Sequence, residues 1–250
     1  MPKRACTGLR GSPMQLLDDA CLVRILTFLT PLPDRFNAAR VCKRWQKLAC
    51  DKRMWLRVEP DLKPAPNQFT TLQEAVIKAR PGDTVLIAPG VTHVTPNILI
   101  NKPLCLVGGG DSADDTLLLC PRGFDSALEF LANGRLANLK ITAELGSCLL
   151  HRKGRLTVDS CALECVDHPL DHLSYPIMST ADDQPCPITN GQNEVSVIET
   201  RIEGGLRCVN TGDKLKLQQV RVLCGRAAYT FWFQVAKHVS EESPLVYCKA

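Results

Sequence analysis

At 250 residues the chain can bury a substantial core in one or two domains, and 45% hydrophobic with 22% charged residues is ordinary for a globular protein. No apolar run approaches the roughly 20 residues a bilayer crossing needs, and Asp18, Asp19 and Arg24 interrupt the 16–29 stretch, which argues against a secretory signal or a membrane partner. The net charge of +4 is uneven: residues 1–60 hold 12 Lys/Arg against 5 Asp/Glu, and residues 61–250 hold 18 against 21. A basic end of this kind fits an acidic protein or a nucleic-acid backbone. No aromatic residues are interleaved with the charges as a stacking platform, so nucleic acid is the poorer fit. The 13 cysteines are odd in number and irregular in spacing, and no Asn-x-Ser/Thr occurs. They read as buried thiols in a reducing compartment, the nucleus or the cytoplasm.

From about residue 13 to 58 the period is helical. Asp18 or Asp19 can cap a helix in which Leu22, Ile25, Leu26 and Leu29 recur at i, i+3, i+4 and i+7. Pro31 and Pro33 stop it. Asp34 starts a second helical stretch, with Ala38, Val41, Cys42, Trp45 and Leu48 on one side and Arg40, Lys43, Arg44 and Lys47 on the other; Trp55 and Leu56 close the unit. So small a helical unit is weakly stable by itself, and its apolar stripes call for a partner, either the rest of this chain or another protein.

These residues carry a resemblance. Leu16, Leu17, Asp18 and Asp19, then Leu22, Ile25, Leu26, Leu29 and Pro31, followed by Val41, Cys42, Lys43, Arg44, Trp45, Leu48 and Trp55, resemble an F-box. That family's pattern opens with Leu-Pro and an acidic pair, runs through an Ile/Leu helix and returns with Val-Cys-basic-x-Trp. Leu17 stands where the family often has proline, and residues 31–35 make a somewhat long connection. The resemblance implies binding to a Skp-type adaptor, itself bound to a cullin scaffold. Leu17, Leu22, Ile25, Leu26, Leu29 and Pro31 would form the first part of the interface, and Val41, Cys42 and Trp45 the second.

Residues 59–66, with Pro60, Pro64 and Pro66, read as a stiff linker. Within 67–82, Phe69, Leu72, Ala75, Val76 and Ala79 fall on one face of a short helix that Pro81 and Gly82 end. From Asp83 the period changes to two. A strand and turn at 84–90 and strands at 98–100, 104–107, 116–120 and 127–130 lead into a recurring unit at 135–141, 155–163, 194–202 and 214–222. Its last apolar residues, Ile141, Leu163, Ile202 and Val222, lie 22, 39 and 20 positions apart. Residues 166–192 read as a long inserted loop inside the 39. Short strands repeating about every 20 residues with no helices between them fit a parallel β-helix over 83–235, with 236–250 as a tail.

The 71–90 run resembles the start of pectin-lyase-like right-handed β-helices, in which a helix caps the open end of the coil. The expected fold is therefore mixed, a small all-α F-box followed by a right-handed, pectin-lyase-like, all-β parallel β-helix. Together the two halves resemble plant Skp-interacting F-box proteins with a pectin-lyase-like C-terminal part. This implies a non-catalytic substrate-recognition subunit of a Skp–cullin–F-box ubiquitin ligase, with an unidentified protein substrate held on the β-helix. A carbohydrate-binding or carbohydrate-cleaving protein is the alternative.

Carbohydrate chemistry on this fold needs carboxylates placed across a sugar bond, or an acidic calcium site with a basic residue beside it. Asp114 and Asp115, after the triple glycine 108–110, and Asp182 and Asp183, in the insertion, read instead as solvated turn acids. Cys161, Cys165, His168 and His172 are spaced too closely for a zinc finger, and the triple glycine has no following helix to form a nucleotide loop, so no metal or cofactor is expected. His93, His151 and His238 stand alone and read as structural. Two features are candidates for cargo contact. One is the 166–192 insertion, and the other is the aromatic group Tyr229, Phe231, Trp232 and Phe233, better read as a plug on the last rung.

Overall fold

The computed structural model describes residues 17–60, 67–166, 174–180, 193–204, 209–211, 214–223 and 247–248. The chain divides into two compact units between Met54 and Trp55.

In the first unit, helix α1 (Asp19–Phe28) starts at Asp18, whose carboxylate accepts from the Cys21 amide at 2.7 Å. That bond holds the Asp18 carboxyl below its ordinary value. The expected second helix is two helices, α2 (Phe36–Ala39) and α3 (Lys43–Ala49). They separate at Cys42, which is extended (φ −160°, ψ 165°) and whose Sγ accepts from the Trp45 amide at 3.5 Å. Arg44 joins the helices: Nε donates to Asp19 Oδ1 (2.9 Å) and Nη2 to the Leu17 carbonyl (2.6 Å). The acidic pair thus caps a helix with one member and ties α3 to α1 with the other. Leu22, Val23, Leu26, Leu48 and Met54 form the core, with Leu17, Leu29, Ala38, Trp45 and Ala49 packed against it.

At the end of this unit Asp51 accepts from the Arg53 amide (2.9 Å), Nε (3.0 Å) and Nη2 (2.7 Å). These bonds, led by the side-chain one, lower the carboxyl from 3.8 to about 2. A depressed acid contributes stability above its unfolded value and loses it as pH falls through the folded one. The helical unit should therefore weaken progressively below pH 4, and Asp51→Asn should flatten that slope. Urea unfolding of the full chain at pH 5, 4 and 3, read by pulsed hydrogen exchange in peptides from 19–54, checks this.

The second unit begins earlier than the linker reading places it. Strand β1 (Leu56–Val58) buries Leu56 and Val58 in the β core, and β2 (Gln68–Phe69) pairs parallel with it. Alternating inward residues put 56–58 in the sheet, so the proline-rich stretch connects two paired strands of one unit. Helix α4 (Leu72–Lys78) follows, capped by Thr71 and burying Leu72, Ala75 and Val76 in the same core. Lys102 closes its other end, donating from Nζ to the carbonyls of Ile77 (2.9 Å) and Ala79 (2.6 Å).

Successive rungs then coil through three sheets, A, B and C. The first is β3 (Thr84–Ile87), β4 (Thr92–Val94) and β5 (Ile98–Ile100). The second is β6 (Leu104–Gly108), β7 (Leu117–Cys120) and β8 (Ser126–Phe130). The third is β9 (Gly134–Ala137), β10 (Lys140–Ala143) and β11 (Ser147–His151). The fourth is β12 (Arg155–Asp159), β13 (Ala162–Cys165) and β14 (Tyr175–Ser179), and the fifth β15 (Glu194–Ile198), β16 (Arg201–Glu203) and β17 (Val209–Thr211). β18 (Lys214–Gln218) and β19 (Arg221–Leu223) open a sixth, and β20 (Tyr247–Cys248) stacks on β19. Every pairing is parallel, and this is a parallel β-helix.

The register stacks like on like. In sheet B, Leu118, Ile141, Leu163, Ile202 and Val222 are successive partners. In sheet A the series is Val85, Leu106, Leu136, Val158, Val197 and Leu217. All of these are buried, each stabilising the coil by about 1.5–3 kcal/mol relative to exposure. The residues spaced 22, 39 and 20 apart are thus partners in register. The 39 is a rung that contains β14, so the 166–192 stretch is not a loop throughout: Ile177 stacks on Leu149 in sheet C. Residues 167–173 and 181–192 on either side of it, and the aromatic group at 229–233, lie outside the described residues.

Each recurring unit, read from the sequence as one strand, is two strands meeting at a corner between sheets A and B. Asn138, Ser160, Glu199 and Gln219 occupy the same corner in successive rungs with φ of 55°, 51°, 47° and 54°. The left-handed region costs a side chain with a Cβ about 1–2 kcal/mol. Part of that is recovered on substitution by glycine, after its greater loss of entropy on folding. Glu199→Gly should therefore stabilise the β-helix by about 0.5–1 kcal/mol, seen as a higher midpoint in urea with an unchanged slope.

Candidate functional site

The helical unit presents two apolar surfaces, of which one is spent on its own core. Leu22, Leu26 and Pro31 are buried, and Leu17, Leu29 and Trp45 are half-buried against the same cluster. Leu22, Leu26 and Pro31 therefore have no side-chain surface left for a partner, a correction to their assignment as contacts. Cys42 is exposed and its sulfur serves as the cap of α3. Of the expected contact residues, Ile25 (40% exposed) and Val41 (67%) face outward. Three residues that the sequence reading passed over join them: Phe28 (79%), Leu32 (43%) and Phe36 (57%). A signal lies in a second spacing on α1, where Ile25, at the edge of the Leu22–Leu26 stripe, and Phe28 stand three apart. Five large apolar groups at this exposure on so small a unit are candidates for an interaction surface. Exposed Arg24, Arg40, Lys43, Lys47 and Lys52 surround this face in sequence and give the unit its positive charge.

The outer surface of the β-helix is more polar. Across sheet B, Asp114 pairs with Arg201 (2.9 and 3.3 Å) and with Lys140 (3.8 Å), Lys140 with Glu164 (2.8 Å), and Arg201 with Glu203 (2.6 Å). The Arg201 bond holds the Asp114 carboxyl below its ordinary value. Asp115 accepts from the Ser112 amide at 2.8 Å. Both acids are exposed and lie in a turn, as the sequence has it, and each is also engaged: Asp114 anchors a chain of ion pairs over rungs two to five, and Asp115 closes the turn. Gly108 ends β6 because a Cβ there would overlap the Asn138 carbonyl, and Asn138 Nδ2 donates to the Gly110 carbonyl at 2.6 Å. Packing thus accounts for the triple glycine. Asp182 and Asp183 lie outside the described residues.

Beside sheet C runs a groove of about 520 Å3. Phe124, Leu145, Leu150 and Met178 give it an apolar lining, and Asp125, Ser147, Arg152 and Thr180 are its polar members. Leu150 and Met178 are register partners, so the groove follows the coil axis across rungs three and four. Arg152 is itself engaged, with Glu129 and Thr180.

The interior holds polar groups with evident structural roles. His93 starts the sheet B stack opposite Leu118 and bonds the Ala88 carbonyl through Nε2 at 2.9 Å. His151 is fully buried; Nε2 faces the Gly154 carbonyl and Nδ1 the Ser179 hydroxyl, both at 2.9 Å. A carbonyl only accepts, so Nε2 carries the proton and Nδ1 can accept from Ser179. His168, His172 and His238 lie outside the described residues. Cys120, Cys148, Cys161 and Cys165 are free and buried, with the Cys148 and Cys165 sulfurs 4.0 Å apart. Burial pushes the Cys120 and Cys161 thiols up to about 11 and Cys148 well above its ordinary value, so they are poor nucleophiles. Among the described residues no three Cys, His, Asp or Glu side chains converge as a metal site, and no helix is long and apolar enough to cross a membrane.

The F-box-like family matches residues 19–59, which hold the three-helix unit and its exposed apolar residues, and this makes the chain an F-box protein. The chain is 52% identical over 234 residues to the F-box protein SKIP5 of Arabidopsis thaliana, covering 88% of this chain and 85% of that relative. It belongs to that family of F-box proteins. No solved structure matches it.

Proposed function

We propose that this protein is the substrate-receptor subunit of a Skp–cullin–F-box ubiquitin ligase, recruited through the F-box to a Skp-type adaptor and through that adaptor to a cullin. The observation that carries this reading is the exposed set Ile25, Phe28, Leu32, Phe36 and Val41 on a unit of F-box family. Apolar anchors of this kind, aromatic ones above all, dominate protein interfaces when a partner's groove desolvates them. The β-helix is read as the cargo-binding part. Among the described residues, the groove beside sheet C, concave and apolar with a few polar members, is the surface offered for cargo.

Ubiquitin transfer would belong to other subunits, and the chain itself acts without catalysis or cofactor. Support comes from Asp114 and Asp115, whose carboxylates are committed to an ion-pair chain and a turn. The free, buried thiols support an intracellular site of action, in nucleus or cytoplasm.

Co-purification of the full chain with a Skp-type adaptor and cullin tests the first half, and adaptor-dependent ubiquitination of captured proteins tests the second. Failure of a folded chain to bind the adaptor would remove the ligase reading. Calcium-dependent cleavage of an acidic polysaccharide by the full chain would replace it with the carbohydrate alternative.

A further inference from the structure

Arg35 is buried, an uncommon place for a guanidinium, and its contacts explain why. Nε donates to the Leu26 carbonyl and Nη2 to the Leu29 carbonyl, both at 3.3 Å, on either side of Phe28 in the chain. Its own amide donates to the Thr30 carbonyl at 2.9 Å. The last carbonyls of a helix carry its negative end; here that of Leu26 also accepts from the Leu29 amide at 3.3 Å. Helix α1 has no basic residue in its own last turn, and Arg35 supplies the cation from beyond the turn. The next residue, Phe36, begins α2. One side chain thus ties the end of α1, which bears Ile25 and Phe28, to the start of α2, which bears Phe36, across the turn that carries Leu32.

We propose that Arg35 is a positioning residue for the adaptor-docking face. It holds Phe28 and Phe36 at one relative setting and leaves the contact itself to them. The proposal rests on the adaptor reading above. Without the clamp, the two aromatic residues and the turn between them must be ordered on binding, and that cost is subtracted from affinity. Thr30 reinforces the same turn, its hydroxyl donating to Asp34 Oδ2 at 2.8 Å.

The test uses the full chain and a purified Skp-type adaptor, with dissociation constants measured below the melting temperature of every variant. Arg35→Met should weaken binding about tenfold, by the ordering cost of two large side chains. Arg35→Gln, which keeps one donor toward the carbonyls, should fall between, and Arg35→Lys should recover most of the loss. Leu48→Ala, a core change away from the clamp, is the control for general destabilisation, and it should leave affinity nearly unchanged at an equal fall in melting temperature. Wild-type affinity in Arg35→Met, or an equal loss in Leu48→Ala, would overturn the proposal. If Arg35→Met does not fold, wild-type affinity in Arg35→Gln overturns it instead. The failures are separable: a folded wild-type chain that does not bind removes the adaptor reading, Phe28→Ala that binds normally places the docking face elsewhere, and loss in Phe28→Ala with Arg35→Met unaffected defeats only the positioning role.

Discussion

Phe28→Ala combined with Phe36→Ala should reduce adaptor affinity by about a thousandfold while leaving the fold of the helical unit intact. Each ring is an exposed aromatic anchor, the kind whose truncation at the centre of an interface costs on the order of 2 kcal/mol or more, about thirtyfold. Two such losses multiply to the stated figure if the rings act independently, and fall short of it if they share one pocket. Stability should hold because neither ring is in the unit's core, and surface substitutions of this kind change it by about 0.5 kcal/mol or less. At the last position of α1, alanine is also the better helix former. Leu26→Asp makes the contrast. It places a charge among Leu22, Val23, Leu48 and Met54, so it should abolish binding by unfolding the unit. Circular dichroism and adaptor titration of the two variants distinguish them: the double alanine chain keeps its helices and loses the adaptor, and the aspartate chain loses both. Retained binding by the folded double mutant would show that the docking face lies elsewhere.

What the sequence could tell and what it could not follow from the same physics. The stripe Leu22, Leu26 and Leu29 is visible because core packing imposes helical spacing, and carrying the family's contacts onto it assigns the buried Leu22 and Leu26 to an interface. An apolar stripe records burial without saying whether the burying partner is the chain itself. The acidic pair is legible as a cap, but the Arg44 bridge to Asp19 spans 25 positions and has no local signal. In the β-helix, Ile141, Leu163, Ile202 and Val222 announce the register because stacked rungs demand like residues. The corners are harder to see. Asn138 is a familiar left-handed residue, but Ser160, Glu199 and Gln219 are not, so each bent pair of strands reads as one straight strand. β14 is hidden because proline, Pro176, sits within it and turn-forming residues flank it. At the candidate site, Phe28 and Phe36 belong to neither apolar period of the core, and only accessibility separates them from it.

The second large effect concerns the inside of the coil, where one residue is large because another is absent. Phe130 is fully buried at the end of β8, in register between Ile100 and His151. Gly134, at the start of β9, lies in register with Leu104 and Leu156, and a Cβ there would overlap the edge of the Phe130 ring and stand 3.3 Å from Leu156 Cδ1. The ring therefore fills the space that a side chain at 134 would occupy. Phe130→Ala empties it and should cost about 3–5 kcal/mol. Gly134→Ala overfills it and should cost about 1–3 kcal/mol. Neither change alone proves that the two sites share one volume. A cycle with Phe130→Leu does, because the smaller side chain makes room for the new methyl. The double variant Phe130→Leu with Gly134→Ala should be destabilised by about 1 kcal/mol less than the sum of the singles. Urea unfolding of the β-helix in the full chain, with a constant slope across the four proteins, measures this. Strict additivity would mean that the ring does not depend on the glycine. Coupling of the expected sign would explain why this rung can hold a phenyl ring between an isoleucine and a histidine.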